Sequence, residues 1–405
     1  MKHLVIIGTV FPEPNSTAAG KRMLQLIDFF QQEKFKVSFL SAASFSEHSF
    51  DLNSKEIEAY TIKLNDSSFE NLIAELNPDI VVFDRFASEE QFGWKVSEIC
   101  PNAVKILDTE DLHFLRKARE TAFKQNRKLD DQDLLNDFFK REIASILRCD
   151  LSLIISEFEM DLLTEKFKID KQILYYLPLF AEVKPSLFSF SERKNFISIG
   201  NFLHEPNWQT VLKLKKLWPK IKSKLPEAEL HIYGAYATHK ALQLHNEREG
   251  FLIKGRVENV EKVFSESKVL LAPIPFGAGI KGKLLESMQY GLPNVTSTIG
   301  AEGMNGNLPW NGFVCDDENE FVEKSVSLYQ KDSDWLPLQK KGFEIIEKRF
   351  KKEDFLPQFS ERLDEMSNNL EKHRNDNFFG QIFQHHSLQS TKYLGKWIEE
   401  KNKNA

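Results

Sequence analysis

Short apolar runs, closed by glycine or proline, alternate with longer amphipathic stretches along most of this chain. His3-Leu4-Val5-Ile6-Ile7 is continuous and β-branched, as a parallel strand covered on both faces must be, and it stops at Gly8. A loop with Pro12, Pro14, Asn15 and Ser16 follows. Met23, Ile27 and Phe30 then fall on one stripe of a helix expected over 19–32, and the next strand is expected at 36–40. This is one βαβ unit. Further strands are expected at 60–64, 79–83, 104–107, 151–155 and 173–177, with a polar, mostly helical segment over 109–148.

The pattern breaks at 178–195, where Pro178, Pro185 and a Ser/Phe-rich stretch read as a linker. It then restarts, with strands expected at 196–199, 230–233, 251–254 and 269–272, closed by Gly200, Gly234, Gly255 and Pro273. The chain therefore divides into an α/β domain over 1–177, a linker over 178–195, a second α/β domain over 196–350 and a helical tail over 351–405. The tail is expected to pack back on the first domain. Its end spaces Phe379, Phe383, Tyr393, Leu394, Trp397 and Ile398 as one helix face, which suits packing or a membrane surface.

Bulk composition narrows the class. Hydrophobic residues at 41% and charged residues at 28% fit a globular protein, and a net charge of −6 argues against a surface given over to nucleic acid. Cys100, Cys149 and Cys315 are odd in number and contain no CxxC pair, so neither a zinc site nor a disulfide framework is supported. A cytoplasmic location is the simplest expectation. The apolar start of the chain is too short for a signal peptide, and no apolar run reaches the roughly 18 residues of a membrane span.

In open parallel sheets, ligands bind beyond the carboxyl ends of the strands. Gly8, Gly200, Gly234 and Gly255 all stand there, which favours a cleft between the domains. The richest stretch is 273–288. A strand ends, a loop with Gly277, Ala278, Gly279 and Ile280 follows, and a helix is expected to begin near Gly282 and stop at Gly291. The N–H groups at that helix start are an anion site, to which Lys281 adds a charge. Glu286, one turn on, suits a vicinal diol such as a ribose. In the first domain, Asp84 and Arg85 follow one strand, and Asp108, Thr109, Glu110, Asp111 and His113 follow another. Helix capping by Asp108 or Thr109 suits that acidic cluster better than metal binding. Arg116, Lys117, Arg119, Lys124, Arg127 and Lys128 outnumber Asp111 and Glu120 nearby, as a solvated helix face or a patch for anionic lipid or a phosphorylated acceptor. His385 and His386 read as packing or surface residues.

The segment 277–303, with Gly277-Ala278-Gly279-Ile280-Lys281, Leu284-Leu285-Glu286-Ser287-Met288, Tyr290-Gly291-Leu292-Pro293 and Gly300-Ala301-Glu302-Gly303-Met304, resembles the donor motif of retaining GT-B glycosyltransferases of glycosyltransferase family 4. The resemblance extends to Ser198-Ile199-Gly200-Asn201, His231-Ile232-Tyr233-Gly234 and, more loosely, to Ala18-Ala19-Gly20-Lys21-Arg22 and Ser156-Glu157 with Glu159. It implies an α/β GT-B fold, two doubly wound Rossmann-like domains facing a central cleft, and a UDP- or GDP-sugar donor with no metal or other cofactor. Glu286 matches the second Glu of the family's Glu-x7-Glu motif, which holds the donor ribose. Gly279, Ile280 and Lys281 fall in the loop that meets the diphosphate or sugar, and Gly20 in the loop that approaches the phosphates. Arg256 and Val257 fall near the base, and Gly200 and Asn201 in the donor wall. The first Glu of the motif is replaced by Ala278, which separates donor binding from the usual sugar-facing assistance.

These expectations assign the charge chemistry to Lys281, Arg22, Asp111 and His113, with His113 near the sugar or acceptor. Asp84, Arg85 and Glu110 fall on the acceptor side. The acceptor is a glycan, a lipid-linked or another small molecule, with a peripheral contact at the inner face of a membrane as a further expectation and no nucleic acid partner. A nucleotide-sugar 2-epimerase of the same fold and a non-catalytic partner subunit are the competing readings.

Overall fold

The computed structural model describes residues 1–184 and 188–403; the side chains of 386–389 and 402–403 are outside that description, as are Pro185 and Ser186 of the expected linker and the His386 side chain. Among the described residues, thirteen strands build two sheets. The first contains β1 (His3–Gly8), β2 (Lys36–Ser41), β3 (Glu58–Thr61), β4 (Ile80–Asp84), β5 (Val104–Asp108), β6 (Leu151–Ile154) and β7 (Leu174–Tyr176). The second contains β8 (Lys194–Ile199), β9 (Leu230–Tyr233), β10 (Phe251–Gly255), β11 (Ser267–Ala272), β12 (Asn294–Thr296) and β13 (Gly312–Val314). Their orders are β3-β2-β1-β4-β5-β6-β7 and β10-β9-β8-β11-β12-β13, and the strand pairs within each are parallel.

Parallel strands need crossovers, and here helices supply them on both faces. The apolar runs alternate between two layers accordingly. Leu4, Ile6, Ile80 and Val82 face one layer of the first sheet, and Val5, Ile7, Val81 and Phe83 face the other. Phe196, Val269 and Leu271 are divided in the same way from Ile197, Leu270 and Ala272 in the second sheet. The strand expected at 60–64 lies two to three residues earlier, because β2 ends at Ser41 and its pairing stops at Thr61. Cys100, Cys149 and Cys315 are free and buried.

The last helices cover the first domain. Phe359, Leu363 and Met366, on the helix Leu356–Asn368, join the layer of Leu4 and Ile6. Arg374 holds both oxygens of Asp150 at 2.7 and 2.8 Å. The helix Phe378–Lys403 lies across the helices Arg85–Ile99 and Asp137–Arg148, with Lys95 donating to Glu399. Among the described residues no helix is long and apolar enough to cross a membrane.

Strand order reverses twice, between β1 and β4 and between β8 and β11. At each reversal the loops leaving the two central strands diverge to opposite faces and leave a crevice at their carboxyl ends. The two crevices face each other and form one cleft.

Candidate donor-binding cleft

The cleft encloses about 580 Å³. Its second-domain wall is the loop after β11 and the helix Gly282–Gln289. Gly279 has a φ of 63°, and a Cβ there would stand 2.8 Å from the Asp111 Cβ. Only glycine combines that backbone with so close an approach to the opposite domain. Its N–H donates to Glu159 Oε1 at 2.8 Å, and the same oxygen accepts from Leu112 N at 3.1 Å. Glu159 is fully buried, and burial together with the Asp111 charge pushes it up to about 8. It is therefore a neutral acid at neutral pH, bridging the two domains.

Lys281 caps the helix start with its backbone and turns its ammonium back to Gly279 O, at 2.7 Å. Burial holds its pKa down to about 8, with the Arg119 charge lowering it further and Glu302 and Glu159 opposing. Glu286, one turn into the helix, pairs with Lys21 across the cleft. Lys283 donates to Asn207 Oδ1 at 2.8 Å beside Gly200. A Cβ on Gly200 would come within 2.8 Å of that ammonium, and one on Gly234 within 2.1 Å of Gly200 O.

The first-domain wall is made by the ends of β4 and β5. Asp84 accepts from Thr9 Oγ1 at 3.1 Å, and Asp108 from Arg22 at 3.3 Å. Arg85 and Glu110 follow these strands with φ of 67° and 63°, uncommon for residues with side chains and concentrated at functional sites. Glu110 is pushed well above the ordinary carboxylate range by burial and by the Asp108 charge, and its Oε1 is buried without a partner. Burial opposes ionisation of Asp111, yet Arg116, His113 and His204 hold it down to about 2, with Arg116 donating at 2.7 and 2.6 Å. His113 Nδ1 is 3.0 Å from Asp111 O. His204 is pushed down to about 4 by burial and by Arg116, so it is a neutral imidazole.

Three further contacts set the separation of the walls. Arg119 donates to Gly277 O at 2.8 Å and to both Glu302 oxygens at 2.7 Å. Arg349 pairs with Glu157 at 2.6 Å, and the Tyr236 hydroxyl donates to Glu13.

Residues 193–331, about a third of the chain, match the family Glycosyl transferases group 1. The chain has the GT-B fold, and its second domain is similar to that family over those residues. Solved structures share the fold at low identity. The sucrose-phosphate synthase of Thermosynechococcus elongatus is 14% identical, with 90% of this chain and 99% of that one covered and a TM-score of 0.66. The glycosyltransferase from Rickettsia africae is 11% identical, with coverage of 91% and 99% and a TM-score of 0.64. Anabaena HepE, in complex with UDP, is 13% identical, with coverage of 90% and 100% and a TM-score of 0.65. No curated protein matches the chain by sequence.

In this GT-B protein the cavity brings together Gly200, Asn201, Arg256, Val257, Ile280, Lys281 and Glu286 with Arg85, Glu110, Asp111 and His113. Four residues expected at the site stand behind its surface. Arg22 is fully buried on the inward face of its helix, bonded to Pro178 O and Asp108, so Lys21 and not Arg22 reaches the cleft. Gly20 packs on the Glu13 backbone, Asp84 is turned to Thr9, and the Gly279 N–H is taken by Glu159. Of the strand-end glycines, Gly200 and Gly234 line the cavity, and Gly8 and Gly255 do not. The basic stretch near 116–128 is largely matched by acids: Arg116 by Asp111, Lys117 and Lys124 by Glu120, Arg119 by Glu302 and Arg127 by Asp133. Among the described residues no group of His, Cys, Asp and Glu has a metal-holding arrangement.

Lys21, Lys283, Glu159 and Glu302 had no individual role assigned from the sequence, and Arg119 was expected only as part of a basic helix face. Lys283 carried a faint signal, as a second lysine at the start of a helix that follows a glycine-rich loop. Arg119 and Glu302 are 183 positions apart and carried none.

Proposed function

We propose that this GT-B protein transfers a hexosyl unit from a nucleotide-diphosphate sugar to a glycan, lipid-linked or other small acceptor, with retention of configuration. One observation carries the reading. A helix N-terminus and, one turn further, the Glu286 carboxylate face a cavity of about 580 Å³ at the meeting of two strand-order reversals. That is a place for a diphosphate followed by a ribose diol.

The chemistry follows from charge. Breaking the bond to the diphosphate develops negative charge on phosphate and positive charge on the sugar. Helix amides and cationic side chains on the second-domain wall stabilise the first. In a retaining reaction the departing phosphate takes the acceptor proton, so no strong protein base is required. His113, Arg85 and Glu110 line the opposite wall, where they orient sugar and acceptor hydroxyls. Closure of the two walls over a bound donor would exclude water.

The same reading includes a peripheral membrane contact, made by the first domain away from the cleft. On the helix Phe378–Lys403, Phe378, Phe379, Ile382, Tyr393, Leu394 and Trp397 are all exposed, flanked by exposed Lys396 and Lys401. Aromatic and aliphatic groups with lysines beside them suit the surface of an anionic bilayer on the cytoplasmic side.

Ala278 favours a second reading, a donor-binding partner subunit without turnover. Release of UDP or GDP from a panel of nucleotide sugars separates the two. Measurable release supports the transferase, and binding without release under any acceptor condition supports the subunit.

A further inference from the structure

We propose that Lys283 is the cation that receives the donor diphosphate, in a seat formed by Gly200, Asn207 and the first turn of the helix Gly282–Gln289. This rests on the donor-binding reading above and names the residue that meets the phosphates.

Two lysines stand at the start of that helix, and their surroundings differ. Lys281 turns its ammonium back onto Gly279 O at 2.7 Å, with Glu302 and Asp111 acting on its charge from beyond ion-pair distance. Lys283 meets only a neutral amide, Asn207 Oδ1 at 2.8 Å. No carboxylate among the described residues lies within ion-pair distance of it. Burial alone holds its pKa down to about 7. A half-buried ammonium without an adjacent counter-charge is costly, and an anion in the cavity relieves that cost.

The surrounding backbone is shaped to the same end. Gly200 leaves the space that Lys283 Nζ occupies; a Cβ there would meet both the ammonium and the Asn207 amide. Asn207 is itself held by its amide N–H on Asn201 O at 3.0 Å, so the seat is rigid. The first amides of the helix Gly282–Gln289, Lys283 among them, point beyond its start and have no intrahelical acceptors. One bound diphosphate therefore satisfies a charge and backbone donors together. The neighbouring His204, held neutral, adds no competing charge.

Isothermal titration with inorganic pyrophosphate, UDP, GDP and the parent nucleosides tests this on the full chain and on Lys283→Gln, Lys283→Arg and Lys281→Gln. Lys283→Gln should weaken pyrophosphate and the preferred nucleoside diphosphate by about ten- to a hundredfold, the range of one charge-assisted hydrogen bond. Nucleoside affinity should be unchanged, Lys283→Arg should restore part of the loss, and Lys281→Gln should cost less than Lys283→Gln. Titration of UDP or GDP at pH 8 in buffers of different ionisation enthalpy should show distinctly more proton uptake on binding in the native protein than in Lys283→Gln, where Lys281 alone remains to take up a proton. A purely structural tether on Asn207 would not produce that signature. Native-like diphosphate affinity in a folded Lys283→Gln, or an equal loss for the nucleoside, overturns the assignment. Failure of the native chain to bind pyrophosphate, UDP and GDP overturns the donor reading itself, and the assignment with it.

Discussion

Lys21 of the first domain and Glu286 of the second form an ion pair that spans the cleft. The carboxylate matched to the donor ribose is thus held at the domain boundary, with its side chain 19% exposed and reachable from the cavity. Lys21 lies one residue before the arginine of its motif, and the phase of its helix alone decides which of the two reaches the site.

Glu286→Ala should weaken UDP or GDP by about tenfold, the worth of one to two hydrogen bonds to a charged group. The melting temperature should change little, because the pair it breaks is partly solvated. Calorimetric titration beside a thermal melt measures both. Unchanged nucleotide affinity would remove Glu286 from the ribose.

Arg119→Ala should act on the whole cleft. It removes three bonds between the domains and leaves Glu302, only 14% exposed, without its partner. A loss of about 2–4 kcal/mol is expected, below the full cost of breaking a wholly buried pair. Small-angle scattering should show a larger radius of gyration, and turnover should fall. A variant with native dimensions and turnover would show that the clamp does not set the wall separation.

Arg22→Met should behave differently. Arg22 and Asp108 are fully buried, so the substitution strands a carboxylate and should cost about 3–5 kcal/mol. The folded fraction should bind nucleotide normally. A selective loss of diphosphate affinity at constant stability would return Arg22 to the phosphates.

This contrast shows what the sequence made legible. Continuous β-branched runs such as Leu4–Ile7 can be read locally, because a strand buried on both faces has no polar alternation to confuse it. β12 and β13 are three residues each, too short for a period to register. The glycine-rich loop and the start of the helix at Gly282 followed from turn chemistry. The direction of each side chain did not. Lys281 is the extended cap residue and Lys283 lies inside the first helical turn, so the backbone sends the two side chains to different sides. Glu159 became a bridge only because Gly279 and Leu112, from opposite domains, meet at one oxygen.

Glu159 also predicts a pH dependence. Its folded pKa of about 8 lies above its ordinary 4.5, so the native state binds the extra proton. Its contribution is complete below about pH 4.5 and declines as pH rises through 8, by at most about 1.4 kcal/mol per pH unit. Lys281, held down to about 8, contributes in the opposite direction only above that pH. Melting temperatures between pH 5 and 8 should fall less steeply in Glu159→Gln than in the native protein. Parallel slopes would contradict the neutral bridge.

The exposed face of the helix Phe378–Lys403 should bind anionic vesicles. Leu394→Glu combined with Trp397→Glu should reduce co-flotation with phosphatidylglycerol liposomes by about tenfold or more, given the apolar area withdrawn. Nucleotide binding should be unaffected. Equal flotation by both proteins would remove this helix from the membrane.

The most direct measurement of the donor-binding claim is a thermal-shift panel of UDP, GDP and their hexose conjugates against the native chain and Glu286→Ala. Stabilisation of the native chain by one nucleotide series, strongly reduced in the variant, is the predicted result. No stabilisation by any member of the panel, or identical shifts in both proteins, would contradict a donor site in this cleft.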